Sequence, residues 1–520
     1  MIMEIRGFTP PERVEKGEVI RALYPFQIAA LERAFDEPSY LYFNHDTGCG
    51  KSVVAVAGCQ ELIANRHEFD LAFVFTLRLN KKNFIRTFER MTTLRAKNIE
   101  GAKDRRTKHY AKEDFDVLVM NYEKALYDCA ELSTLVQGKR VLFIFDEVQK
   151  ILQPNRASAA MRKLLVEPED SSVWPMSASI VDSDPLRYWR CMDFVANNPL
   201  GTEEEFRARY VEKRILKDFG RHTEWADVYD LEKLADIPEK VARWTHVVRK
   251  NDPEIRQYFK DTQLIVETVQ LSDQDRELYN IIRETVRADY NQLSHLAKVS
   301  YYNTLRLICN TSEALNITEN QVAQFLRSQG LTFSSRTSAK FESVIEKIEE
   351  IRSQGDKVVV FTHWVDLCLK PFSQELERAG INHVVHYGAG MTPGQAQQAQ
   401  DNFKKDKNIT VFLSSDAGSH GLSFQEAKYV IHIESPHSYD LLMQRSDRID
   451  RIDSYHQLLT TYVFLTEDTV EQQIWAINDE RRRLSSVIQG TNQTLGRLEN
   501  LPEDESRLTD NNLKYLIFGE

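Results

Sequence analysis

Phe43-Asn44-His45-Asp46-Thr47-Gly48-Cys49-Gly50-Lys51-Ser52 stands between an aromatic, strand-like run and an apolar, helical one. The order strand, glycine loop, helix is that of a phosphate-binding loop. Two glycines remove the side chains that would keep backbone N–H groups away from a polyphosphate, Lys51 brings a cation to the β and γ phosphates, and Ser52 offers a hydroxyl to Mg²⁺. The stretch holds only the shorter T-G-x-G-K-S core, because His45 occupies the first-glycine position of the longer pattern. Taken alone, these letters are also those of a surface turn, so the rest of the chain has to decide.

Around this loop the hydrophobic pattern alternates. A helix begins in Arg21 to Leu31, where Pro25 is tolerable in the first turn. Apolar runs at Leu71–Thr76, Asp116–Met120 and Arg140–Phe145, separated by helical patterns, predict a buried parallel sheet. A second alternating region has strand-like runs at Lys357–Thr362, His383–His386, Thr410–Ser414 and Tyr429–Ile433. Between the two, residues 201–335 read as long charged helical patterns with few strand signals. The expected organisation is an N-terminal arm over 1–20, an α/β domain over 21–200, a helical insertion over 201–335, a second α/β domain over 336–490 and a tail over 491–520. Leu513 to Phe518 in that tail is apolar and is expected to dock on the body.

Bulk properties narrow the function classes. Over 520 residues the hydrophobic share is 42% and the charged share 28%, ordinary values for a water-exposed globular chain. No run approaches the roughly 18 apolar residues of a membrane span, and Met1 to Arg6 lacks a signal-peptide pattern. The six cysteines contain no C-x-x-C pair, which favours neither a zinc knuckle nor a disulfide framework and points to a reducing, cytoplasmic setting. A net charge of −11 argues against a chain that coats nucleic acid with its whole surface, but leaves room for a local basic groove. Candidates are Lys103, Arg105, Arg106, Lys108 and Lys112 in one stretch and Lys81, Lys82 and Arg86 in another, with Arg481 to Arg483 further on; each is also what a solvated face looks like.

Leu142-Phe143-Ile144-Phe145 runs straight into Asp146-Glu147-Val148-Gln149. A strand ending in two adjacent carboxylates suits nucleotide hydrolysis: one holds Mg²⁺ through water and the other polarises the attacking water. Alone, the pair is equally a helix N-terminus. Far along the chain, Gln444 to Arg451 places Arg445, Arg448 and Arg451 at three-residue spacing. Arginines there could neutralise charge on a transferring phosphate, or form an ion-paired helix face with Asp447 and Asp450.

Taken in order, these stretches resemble the motifs of superfamily-two helicases, and within them of the Swi/Snf-type double-stranded DNA translocases. The resemblance covers about residues 20 to 490. Leu23 to Gln27 resembles the entry motif, which makes Gln27 the adenine-reading residue. Thr47, Gly48, Cys49, Gly50, Lys51 and Ser52 resemble motif I. Thr76-Leu77-Arg78 with Asn83-Phe84 resembles a strand-end motif that touches DNA, and Asp116 to Tyr122 the strand before the acidic box. Asp146 to Gln149 stands where the family has D-E-x-H. Ser177-Ala178-Ser179 resembles the tripeptide that couples hydrolysis to DNA. Lys357 to Trp364, with Thr362, resembles the opening strand of the second lobe; Ser414 to Phe424, with Ser415, Gly418 and Gly421, resembles motif V; and Gln444 to Arg451 fits Q-x-x-x-R-x-x-R. Val247 to Lys250 with Thr268 to Ser272 resembles the group's interlobe linker, and Leu465 to Glu471 its closing segment. Gln149, Asp450 and Asp453 depart from the family pattern.

The resemblance implies an α/β fold of two RecA-like lobes with parallel sheets and a helical insertion between them. It implies ATP and Mg²⁺ as cofactors, with Lys51, Ser52, Asp146 and Glu147 acting from one lobe and Arg448 and Arg451 from the other. The implied partner is double-stranded or branched DNA, bound without regard to sequence, with a DNA-bound protein as a further partner and no membrane. Gln444 joins Thr76, Arg78, Ser177, Ala178, Ser179, Thr362, Ser415 and Gly418 as residues expected to couple hydrolysis to nucleic acid or to touch it. The alternatives within reach of the same motifs are a strand-separating or branch-remodelling helicase, a remodeller of a DNA-bound protein such as RNA polymerase, and a non-catalytic DNA-binding module. The compact size suggests a prokaryotic or phage cytoplasm.

Overall fold

In the computed structural model the chain divides into two compact units. The first comprises 1–211, 232–258 and 487–493, and the second 212–231, 259–486 and 494–520. The structure describes residues 13–15, 18–20, 23–37, 39–78, 80–152, 156–178, 180, 184–194, 198–218, 223–328, 330, 333, 338–388, 390–419, 422, 424–452, 454–488, 497–499 and 508–519.

The first unit is built on seven parallel strands: β1 (Tyr42–His45), β2 (Leu71–Thr76), β3 (Ala96–Lys97), β4 (Val117–Asn121), β5 (Arg140–Asp146), β6 (Asp170–Ser177) and β7 (Thr245–Val248). Their order across the sheet is β7-β1-β6-β5-β2-β4-β3. Every residue of β1, β2 and β4 is buried, as expected of a parallel sheet covered on both faces, which is why these strands read as unbroken apolar runs. Phe73, Phe75, Phe143 and Phe145 stack across β2 and β5 at centroid distances of 5.1–6.4 Å, pairs that contribute about 0.5–1.5 kcal/mol each beyond their burial.

Four helices flank the sheet near its loops: α1 (Pro25–Asp36), α2 (Lys51–Cys59), α3 (Lys81–Met91) and α4 (Lys103–Tyr110). Pro25 takes the first position of α1, where its missing N–H has no intrahelical partner to lose. Helix α2 lies hard against Trp174 of β6. A Cβ at Gly58 would sit 2.5 Å from the indole, so only glycine lets this helix approach the sheet.

The second unit is a six-stranded parallel sheet: β8 (Asp261–Val269), β9 (Val358–Phe361), β10 (His383–His386), β11 (Val411–Ser414), β12 (Tyr429–His432) and β13 (Leu458–Thr466), ordered β8-β13-β12-β9-β11-β10. Helices α5 (Asp273–Asp289) and α6 (His295–Asn310) share a core with α9 (Val470–Ile488) and α10 (Asp510–Phe518) through Tyr279, Ile282, Leu305, Ile308, Ile474 and Leu516. The apolar tail segment therefore docks, as its composition suggested. Two further helices are α7 (Ala339–Ser353) and α8 (Tyr439–Ser446).

The expected helical insertion over 201–335, read as having few strand signals, holds several strands, Val211–Asp218 and Thr223–Asp230 among them. β7 and β8 both lie in it, each completing the edge of a different sheet. β7 has only four residues, too few to show a period. β8 alternates along an exposed edge, with Leu264 and Val266 partly in solvent, so its pattern is weaker than that of a buried strand. Of the expected N-terminal arm, Arg13–Glu15 and Glu18–Ile20 form an antiparallel pair, and the other residues up to 22 lie outside those described.

Candidate active site

Parallel strands bring all their carboxyl ends to one edge, and the predicted nucleotide residues of the first unit gather there. In register, Phe43 of β1 and Asp146 of β5 both face Met176 of β6, the strand between them. The loop after β1 turns through Gly48 at φ 90° and Gly50 at φ 77° into the N-terminus of α2. A Cβ at Gly50 would also lie 2.4 Å from Gln27 Nε2, so glycine is required there twice over. The first N–H groups of α2 and its dipole then face the loop, an arrangement that attracts anions.

The loop is braced from three sides. Gln27, expected to read adenine, is buried; its Nε2 donates to the Cys49 carbonyl (2.9 Å) while its Oε1 accepts from Tyr24 N (2.9 Å), closing the first turn of α1. Asp46 is held from the end of β7, accepting from Lys250 N (2.9 Å) and from Arg249 Nη1 (3.3 Å), which also donates to the Asn44 carbonyl (2.8 Å). His45 meets His246 of β7 ring to ring (Nε2 to Nδ1, 2.9 Å). Burial, then the neighbouring ring, pushes His45 well below the ordinary histidine range; burial and the Arg33 charge bring His246 down to about 4. Both rings are therefore neutral near pH 7, sharing one N–H···N bond.

Lys51 Nζ donates to the carbonyls of His45 (2.7 Å) and Asp46 (3.3 Å). Burial lowers its pKa, against the pull of Glu147, Cys49, Asp146 and Asp46. Asp146 Oδ2 accepts from Thr76 Oγ1 (2.6 Å) and Asn80 Nδ2 (2.7 Å). Burial, and secondarily the Glu147 charge, raise the Asp146 carboxyl to about 6, with the two hydrogen bonds and Lys51 opposing them. Glu147 sits at φ 55°, a left-handed conformation that is uncommon outside glycine. Gln149 Nε2 donates to Glu147 Oε2 (2.6 Å), and Ser177 Oγ donates to Gln149 Oε1 (2.8 Å). Gln149, the departure from D-E-x-H, thus bridges the acidic pair to the end of β6.

In the second unit, Arg445 is fully buried and pairs with Asp416, which also meets His363 Nδ1 (2.6 Å). Burial acts to raise the Asp416 carboxyl, but the Arg445 guanidinium and His363 together hold it well below the usual range. Arg448 and Arg451 converge elsewhere: Nη1 of the first (3.3 Å) and Nη2 of the second (3.5 Å) both donate to the Leu422 carbonyl, and Arg448 Nε donates to the Gln444 carbonyl (2.7 Å). Arg445 is spent inside the unit, whereas Arg448 and Arg451 meet against the motif V stretch.

Several residues expected at nucleic acid turn their hydroxyls inward. Thr76 is fully buried on Asp146; Thr362 Oγ1 donates to Glu434 Oε2 (2.9 Å); and Ser415 Oγ donates to the Tyr387 carbonyl (2.9 Å). Arg78 is exposed, and Ala178 and Gln444 are partly so, while Gly418 lies in the turn Asp416–Ser419. Ser179 and Gly421 lie outside the described residues. Sequence reading missed Asn80 and the bracing by Arg249 and Lys250. Asn80 had no signal beyond its place just past a strand end, and Arg249 lies some 200 residues from the loop it supports.

A family model described as helicase conserved C-terminal domain matches residues 339–453, and one described as type III restriction enzyme, res subunit, matches 21–170. An uncharacterized ATP-dependent helicase of Mycoplasma pneumoniae is 21% identical over 450 residues, 85% of this chain and 39% of its own length. A SWI/SNF-related matrix-associated actin-dependent regulator of chromatin, subfamily A-like protein 1, from Bos taurus is 27% identical over 166 residues, 32% of this chain and 17% of its own. The chain thus spans well under half the length of these relatives. The helicase domain of Hef from Pyrococcus furiosus shares the fold, with a TM-score of 0.51 at 15% identity, covering 87% of this chain and 97% of that one. With two RecA-like parallel-sheet units and these two family models matching in order along the sequence, the chain is similar to the superfamily-two helicases, Swi/Snf-like ones among them.

Proposed function

We propose that the chain is an ATP-driven translocase on double-stranded DNA. The observation that carries this reading is the hydrogen-bonded line Glu147–Gln149–Ser177, which ties the hydrolytic carboxylate to the strand end expected to respond to DNA. In the proposal, the glycine turn and the α2 N-terminus receive the ATP phosphates and Lys51 moves from the loop carbonyls to the β and γ oxygens. Asp146 and Ser52 would hold Mg²⁺, which when bound draws charge from the phosphoryl oxygens. The donors Thr76 and Asn80 fix the rotamer of Asp146, so its other oxygen is the one left to face the metal's water. Glu147 orients and polarises the attacking water. Arg448 and Arg451 neutralise charge on the transferring phosphoryl group, a task for which a guanidinium fork suits better than an ammonium.

DNA would be held by its phosphates, without sequence preference and with strong salt dependence. The deciding experiment is the ATPase rate measured against single-stranded, double-stranded and branched DNA and against RNA. Stimulation by linear duplex is the expected result. Stimulation by RNA alone, or by no nucleic acid, would overturn the reading.

A further inference from the structure

Two of the three basic stretches left unassigned in the sequence meet in the first unit. Helices α3 and α4 and the edge strand β3 wall a cavity of about 830 Å³, separate from the phosphate loop. Lys82 and Arg86 stand one turn apart on α3, Arg105 and His109 one turn apart on α4, and Lys97 lies on β3 between them.

The charge here is not spent locally. Among the described residues no acid pairs with Lys82, Arg86 or Arg105, and all three are exposed. Of the acids that line the cavity, Glu100 is already shared by Lys81 and Lys124 and Glu89 stands exposed on α3, leaving the cations in excess, while Lys97 has Asp114 at 2.5 Å. The positive field extends toward the end of β2. Burial, together with the charges of Lys81 and Arg78, pushes the Lys124 ammonium down to about 8. A chain with a net charge of −11 has concentrated unpaired cations in one concave place, where low-dielectric walls focus their field.

We infer that this groove is a second contact for the nucleic-acid backbone, gripping phosphates through Lys82, Arg86 and Arg105. Cations on two facing helices flank a trough, whereas a single flat contact would need them on one surface. A polyphosphate strand, with charges recurring along its length, can engage both walls at once. The groove would add affinity and hold the DNA path without touching the hydrolytic residues. This inference rests on the proposed DNA binding.

The test compares the wild type, the variant Lys82→Ala/Arg86→Ala/Arg105→Ala, and a control with the same change in charge in the second unit, Lys404→Ala/Lys405→Ala/Lys407→Ala. Duplex binding is followed by fluorescence anisotropy as salt rises from about 50 to about 200 mM. Each lost phosphate contact lowers the salt slope by about 0.9, so the wild type should lose about 40-fold more affinity across that range than the groove variant. ATPase without DNA should be unchanged, and the control should follow the wild type. A groove variant with the wild-type slope, or a control that falls equally, overturns the inference while leaving the function intact. Binding of polyglutamate but not duplex at the groove, lost in the groove variant, would overturn it in favour of an acidic protein partner. A wild type that binds no duplex at all would overturn the functional reading and the groove with it.

Discussion

Replacing Asp146 by asparagine should make the protein more stable and inactive together. The carboxyl is fully buried beside Glu147 and its pKa is raised to about 6, from an ordinary value of 3.8. A raised carboxylate costs stability as pH rises. Below the unfolded value both states hold the proton. Between 3.8 and 6 the unfolded chain releases a proton that the folded chain keeps, so stability falls with pH, and above 6 the full penalty persists. A difference of that size corresponds to roughly 3 kcal/mol near pH 8, and to about half of that at pH 5. The amide of Asp146→Asn keeps an oxygen for Thr76 and Asn80 while carrying no charge. For a domain of this size the gain should raise the Tm of the first unit by roughly 6–12 °C near pH 8. The assay is differential scanning fluorimetry of both proteins in chelator, without nucleotide, from pH 5 to pH 8. The reasoning is refuted if the variant is no more stable at pH 8, or if its advantage grows as pH falls.

Gln149→Leu should cut DNA-stimulated kcat roughly 10- to 100-fold, as expected when an outer partner of an active-site group is lost, with the affinity for a fluorescent ATP analogue unchanged in a titration. Lys340→Ala, which strands Glu471 in the core of the second unit after removing bonds of 2.5 and 2.6 Å, should cost about 3–5 kcal/mol in urea unfolding. The arginines should separate in the same two assays. Arg445→Met should destabilise by about 1.5–3 kcal/mol through loss of its charged hydrogen bonds to Asp416, whereas Arg448→Ala should cost about 1 kcal/mol and abolish turnover.

The glycine turn before α2, the acidic end of β5 and most buried strands were legible because parallel strands covered on both faces leave uninterrupted apolar runs, as in Leu71–Thr76 and Leu142–Phe145. β6 was not, since Ser171, Ser172 and Pro175 interrupt its pattern; Pro175 nonetheless sits in the sheet opposite Phe145. β13, Leu458–Thr466, has a clear β-branched and aromatic composition, but only its end, Leu465-Thr466, entered as part of a motif. Within the site, residue types announced the chemistry but not the hydrogen bonds. Thr76 looks in sequence like any strand-end hydroxyl, and only the neighbouring of β2 and β5 turns it onto Asp146. Long-range bracing was illegible for the same reason: nothing in Val248-Arg249-Lys250 says that it adjoins His45 and Asp46, a pairing set by sheet order alone.

Triplex displacement with the wild type and with Lys51→Ala tests the central claim most directly, because a motor advancing along intact duplex strips a third strand without separating the other two. The account predicts ATP-dependent displacement by the wild type, none by a folded Lys51→Ala protein, and no unwinding of plain duplex by either. Displacement by Lys51→Ala at the wild-type rate, or strand separation without triplex displacement, would contradict it.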